Sequence, residues 1–310
     1  MMPRRAMLAL PFLLAAPAAR AQEAERQDWT DPARRRTLPV LLRWPEEGRG
    51  PVPLVLVSHG LGGSRQGLAY LGEALAAAGI AALHIQHPGT DDSLWRGAGD
   101  RRLAFAAAIG DAGRALDRLQ DAIFVLDELS RRPELAGRLD PARLGIAGHS
   151  YGAWLVQHML GERIPGGDRG LVLPDRRLSA GIALSPVPSA GLPPALAFAR
   201  VKAPMLHVTG TLDDTWVDGT RAADRRIPFD AIAAPGALAV LEGATHASFA
   251  GEAGAGARWE EATFHPRVAG LAVAFLRALW RKDPAARQFL REGAPGLLAP
   301  GDVLETRGLG

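Results

Sequence analysis

The chain has 310 residues, a formal charge of +3 and no cysteine, which excludes disulfide frameworks, zinc thiolate or iron–sulfur centres and a cysteine nucleophile. Three of its 36 basic residues, and none of its acids, fall in the first 21 residues, so the remainder balances 33 against 33 and offers no basic stripe for a nucleic acid.

Arg4 and Arg5 precede an apolar run from Ala6 to Ala18, and Ala19-Arg20-Ala21 carries small residues at the cleavage positions. This pattern predicts a signal peptide over 1–21 and an exported protein, periplasmic or secreted. The run is too short for a stable membrane anchor. Residues 22–36 are polar and predict an extended arm, and residues 292–310, rich in Gly and Pro, a loosely packed tail. Between them, 37–291 reads as a single domain, within the size that one core can serve.

Thr37 to Trp44 predicts an edge strand, and Pro53 to Ser58, with Leu54-Val55-Leu56-Val57, a strand buried on both faces. The loop His59-Gly60-Leu61-Gly62-Gly63-Ser64 follows. Gln66 to Ala78 has helical spacing ending at Gly79, and Ile80 to Ile85 is the next buried strand. Ala104 to Leu129 reads as one long helix, and Arg143 to Ala147 as a strand. Gly161 to Asp175 is a loop. Ser179–Leu184, Pro204–Val208 and Ala237–Leu241 supply further strands, and Val268 to Trp280 a closing amphipathic helix. Alternating strands and helices predict an α/β fold with a mostly parallel central sheet, helices on both faces and no large separate lid domain.

Chemistry concentrates just after the predicted strands, where such sheets gather ligands. Gly148-His149-Ser150-Tyr151-Gly152 joins a strand to a helix, as a Gly-x-Ser-x-Gly nucleophile elbow does. A serine needs a base, and the base an orienting carboxylate. His246 follows the last strand and is the candidate base. His265, next to Pro266, reads as a surface or capping residue, and His84, His87, His158 and His207 as structural. In Thr209-Gly210-Thr211-Leu212-Asp213-Asp214 two carboxylates compete. Asp213 is favoured on the Gly-x-x-Asp turn and Asp214 stays open, with one of them expected to cap the turn. Backbone donors for an oxyanion are expected at Tyr151, just after the serine, and at Leu61, with Gly62 as the neighbouring option.

Ser58-His59-Gly60-Leu61-Gly62-Gly63, Gln86-His87-Pro88-Gly89, the serine pentapeptide, Gly210-Thr211-Leu212-Asp213-Asp214 and Thr245-His246 together resemble the predicted dienelactone hydrolase-like group of the α/β-hydrolase superfamily. That group is similar to platelet-activating-factor acetylhydrolases and bacterial polyester hydrolases. The resemblance runs from about Thr37 to Trp280 and implies the α/β-hydrolase fold and a serine carboxylic ester hydrolase. Such an enzyme works without a cofactor or metal on small-molecule or polymer esters. The chain departs from dienelactone hydrolases proper, which use cysteine, so the serine esterase side is the better match. The resemblance also implies that the loop from Gln86 to Trp95 overhangs the site, leaving Trp95 either in contact with substrate or simply buried. Asp91, Asp92 and Asp100 fit no calcium-loop spacing and read as solvated loop acids. A peptidase or amidase with the same triad, or a non-catalytic binding protein, are the rival expectations.

Overall fold

The apolar runs become strands because both of their faces meet a core: along Val52–Ser58, Leu54 and Leu56 enter one cluster while Val55 and Val57 enter the other. The computed structural model describes residues 24–309 apart from 47–49, 97–98, 136, 167–169 and 252–258. The predicted signal peptide over 1–21 lies outside the described residues.

Among those residues, one nine-stranded sheet comprises β1 (Glu25–Asp31), β2 (Arg36–Arg43), β3 (Val52–Ser58), β4 (Ala81–Ile85), β5 (Leu139–His149), β6 (Leu178–Leu184), β7 (Met205–Leu212), β8 (Gly236–Thr245) and β9 (Val303–Arg307). Their spatial order is β1-β2-β4-β3-β5-β6-β7-β8-β9. The six strands from β4 to β8 are mutually parallel, and at the flanks the β1–β2, β2–β4 and β8–β9 pairings are antiparallel. The order reverses between β3 and β5. That opens a crevice at their carboxyl ends.

The helices are α1 (Ala69–Ala77), α2 (Arg101–Ile109), α3 (Ala112–Arg131), α4 (Tyr151–Met159), α5 (Pro194–Ala197), α6 (Ile227–Ala231), α7 (His265–Trp280) and α8 (Pro284–Arg291). The buried faces of α3 and α4, through Leu119, Val125, Leu155 and Val156, fill one core. Those of α1, α7 and α8, through Leu71, Leu75, Leu271 and Phe275, fill the other. The molecule is therefore a three-layer α/β sandwich on a mostly parallel sheet.

Four expectations need correction. The arm is in part β1, paired with β2 over seven positions from Glu25↔Leu42 to Asp31↔Arg36, with Trp29 buried; β2 is therefore not the edge. The tail contains β9, which pairs with β8 from Gly236↔Arg307 to Val240↔Val303. The long helix is two, because Gly110 closes α2 and the Asp111 side chain accepts the N–H groups of Gly113 and Arg114 to start α3. Finally, Asp91 is buried and not solvated. Its carboxylate accepts from Gln86 Nε2 at 2.7 Å, while Asp100 caps α2.

Candidate active site

Ser150 stands between β5 and α4 with φ 55° and ψ −112°, a conformation that strains any residue with a side chain, by about 1–3 kcal/mol. The surroundings hold it there. Its N–H donates to Leu184 O and its carbonyl accepts from Trp154, both at 2.9 Å. The flanking glycines allow the close approach that this turn requires: a Cβ on Gly148 would lie 2.4 Å from the carbonyl carbon of Gly152, and one on Gly152 2.2 Å from Ser58 O.

His246 follows β8 on a short turn whose start is capped reciprocally by Thr245 and Ser248. Its Nε2 lies 2.9 Å from Ser150 Oγ, and its Nδ1 lies 2.7 Å from Asp213 Oδ1. The geometry has Nδ1–H donating to the carboxylate and Nε2 accepting the serine hydrogen, the tautomer a general base needs. Asp213 is fully buried, and its Oδ2 accepts from Thr209 Oγ1 at 2.8 Å. Asp214 points elsewhere and accepts the Ala222 N–H at 2.8 Å. The structure thus brings Ser150, His246 and Asp213 into one relay and leaves Asp214 capping a turn at the cavity mouth.

Between β3 and α1, the loop holds Leu61. The Gly62 N–H is committed to Thr90 O at 2.9 Å and that of Gly63 to Gly60 O at 3.2 Å. Among the described residues, no backbone acceptor meets the N–H of Leu61 or of Tyr151. Two donors are left for an oxyanion beside Ser150. Trp95 is half-buried: its Nε1 donates to Gly62 O at 2.8 Å while the residue lines the cavity. That cavity, about 650 Å³, is walled by Trp95, Phe105, Tyr151, Trp154 and Trp216 around Ser150 and His246.

Three polar groups at the site escaped sequence reasoning. His149 Nε2 donates to His246 O at 2.9 Å, so the residue beside the serine anchors the base; burial keeps its imidazole well below the usual range. Arg225, fully buried, sets its Nε 2.9 Å from Asp213 Oδ1 and 2.6 Å from Asp213 O, and its Nη1 donates to Ser185 O and Pro186 O, both at 3.1 Å. Its Nη2 lies 3.1 Å from His246 Nδ1. Both nitrogens carry hydrogens once Nδ1 donates to Asp213, so this contact is not a hydrogen bond. Arg118, on α3, is also fully buried beneath the Leu61 loop. Only the pentapeptide position of His149 marked any of these in the sequence; the arginines lie in otherwise ordinary charged turns and helices.

The remaining histidines are placed apart from the relay. His84, His87, His158 and His207 are buried in or beside the sheet and α4, and burial is the main cause that lowers each of them. His265 opens α7 half-buried, stacked on Tyr70 at 3.9 Å between ring centroids.

Compared with protein-family models and with curated proteins, the chain matches none.

Proposed function

We propose that this chain is a serine hydrolase of carboxylic esters built on the α/β-hydrolase fold, acting in an exported setting through an acyl-enzyme. The observation that carries the reading is the unbroken hydrogen-bonded relay from Ser150 Oγ through His246 to the buried Asp213, at 2.9 and 2.7 Å. A structural serine has no need of a strained φ of 55° beside two unmatched backbone donors.

In the acylation step Ser150 Oγ attacks the ester carbonyl carbon while its proton passes to His246 Nε2. The C=O bond becomes an oxyanion held by the N–H groups of Leu61 and Tyr151. Asp213 stabilises the imidazolium without taking its proton. His246 then protonates the leaving alcohol as the C–O bond breaks. Water repeats the sequence on the acyl-enzyme and regenerates Ser150. The aromatic walls favour an ester with an apolar acyl or alkoxy group, since they gain by excluding water, while the charged Arg101, Asp214 and Asp218 also line the cavity.

Short-chain p-nitrophenyl esters and a fluorophosphonate probe test this. Turnover and labelling by the wild type are expected, with Ser150→Ala lowering kcat by on the order of 10⁴-fold or more and abolishing the label. A wild type that is folded yet neither turns over such esters nor labels overturns the reading.

A further inference from the structure

We infer that Arg118 is a positioning residue for the oxyanion hole, one buried guanidinium that holds the two backbone segments presenting the Leu61 and Tyr151 N–H groups. This rests on the ester-hydrolase reading above. Arg118 leaves α3 and is fully buried, yet among the described residues no carboxylate lies within ion-pair distance and its Nε has no partner. Burying a guanidinium without an adjacent carboxylate is unfavourable unless hydrogen bonds satisfy it. Burial lowers its pKa only to about 10, so the group is a cation at neutral pH.

Its contacts converge on one place. Nη2 donates to the carbonyl of His59, two residues before Leu61, and to Ser58 Oγ at 2.9 Å. Nη1 donates to Thr90 Oγ1 at 3.0 Å, and the same Thr90 fixes the Gly62 N–H through its carbonyl. Leu61 is therefore flanked by His59, whose carbonyl Arg118 holds directly, and by Gly62, which Arg118 reaches through Thr90. The guanidinium carbon also lies 4.7 Å from the centroid of the Tyr151 ring, a cation–π contact with the residue that supplies the other donor. Within the loop, His59 Nε2 accepts the His87 N–H at 3.1 Å, so its Nδ1 carries the hydrogen and donates to Gly60 O at 2.5 Å. Gly60 O belongs to the peptide whose N–H is that of Leu61. A carbonyl polarised in this way strengthens the donor at the other end of its peptide.

The counter-charge arrives through a relay. Because Ser58 Oγ accepts from Arg118, its own hydrogen goes to His87 Nε2 at 3.1 Å, and His87 Nδ1–H goes to Asp121 Oδ2 at 3.1 Å. Asp121 also binds Arg36 through Nε at 2.8 Å and Nη2 at 2.9 Å. Burial works to raise this carboxyl, but the hydrogen bonds from His87 and Arg36 outweigh it and bring it down to about 2. A second Ser–His–Asp series thus lies wholly inside the protein, closed to substrate. It fixes which way Ser58 points and so where the Arg118 fork sits.

The test compares Arg118→Met, which removes charge and fork, with Arg118→Lys, which keeps the charge. Each is checked for fold by circular dichroism, and assayed with p-nitrophenyl butyrate and with an alkyl trifluoromethyl ketone that forms an anionic adduct on Ser150. Removing a true oxyanion donor costs about 10²–10³ in kcat. Loss of a group that acts through the donors is expected to lower kcat roughly 30- to 100-fold with KM changed less than about threefold, and to weaken the ketone in proportion to kcat/KM. Arg118→Lys is expected to recover about tenfold of that loss. A folded Met variant with kcat within threefold of the wild type, a rise in KM alone, or unchanged ketone affinity overturns the inference. If the Met variant does not fold, the Lys variant decides: full kcat and full ketone affinity in it overturn the proposal, and a parallel loss of both supports it. An inactive, unlabelled wild type instead overturns the ester-hydrolase reading and this inference with it.

Discussion

At the scale of single residues, Asp213 and Asp214 differ in what surrounds them. Asp213 is fixed from three directions, by His246 Nδ1 at 2.7 Å, Arg225 Nε at 2.9 Å and Thr209 Oγ1 at 2.8 Å. Among the described residues Asp214 has only the Ala222 N–H as a hydrogen-bond donor, and it lines the cavity. Asp213→Asn is accordingly expected to lower kcat by about 10⁴, because an amide that keeps the geometry holds the wrong tautomer of the base. Asp214→Asn is expected to stay within about threefold of the wild type, since it alters only a turn cap. Steady-state assays of both variants with one ester check the pair; equal losses would show that the relay does not run through Asp213. In the sequence the two acids differ only in distance from Gly210. What separates them in space is Arg225, and nothing local marks it. Of the neighbouring arginines, Arg221 pairs outward with Asp224 and Arg226 with Asp230, while Arg225 turns inward on the same 3-10 turn.

The end of α4 shows how an element behind the serine couples to the cavity wall. Gln157 donates to Val187 O at 2.7 Å and accepts from its N–H at 2.9 Å, so the loop after β6 is clamped where it lines the cavity. Gln157 Nε2 also donates to Glu162 Oε2 at 2.9 Å. Glu162 is buried, and that burial, only partly opposed by the hydrogen bond from Gln157, pushes its carboxyl up to about 8 from 4.5. Between those two values the folded chain holds a proton that the unfolded chain has lost. Stability therefore falls as pH rises from 4.5 to 8 and levels off above it. Glu162→Gln removes the titrating group while keeping an amide of similar shape. Scanning calorimetry is expected to show the Tm of this variant rising relative to the wild type between pH 5 and pH 9; a constant gap would mean that Glu162 titrates normally. The sequence hides this too, because Gly161 to Asp175 reads only as a loop, which says nothing of the burial of Glu162. The break between α2 and α3 was more accessible: Gly110-Asp111 is a stop followed by a cap, outweighed in the reading by apolar spacing that continues across it.

For the molecule as a whole, the six parallel strands were legible because each is apolar on both faces and carries its own period, and the site followed from the loops at their ends. The flanking strands were not. In β1 only Trp29 and Asp31 are buried, and β9 has no fully buried residue, so their sequences look like solvated arm and tail. Their pairing depends on partners already in the sheet, and short charged strands suit an exposed edge. The same layered burial gives the molecule an acid limit. His84 lies near 3, and His87, His158 and His207 near 4, in each case chiefly because burial disfavours the imidazolium. His59 and His149 are held well below the usual range for the same reason. All six stay neutral in the folded chain at a pH where the unfolded chain, with imidazoles at 6.5, has taken up protons. Lowered folded values place their stabilising effect above 6.5 and remove it as pH falls from there toward 4. Urea unfolding followed from pH 7 to pH 4.5 is expected to lose stability with a slope near pH 5 equivalent to the uptake of at least about four protons on unfolding. Glu162, still protonated in the fold at that pH, offsets part of one of these, so Glu162→Gln is expected to steepen the slope slightly. A slope below about two protons would mean that water reaches these imidazoles in the folded protein, and that the two cores are looser than the packing of the sheet implies.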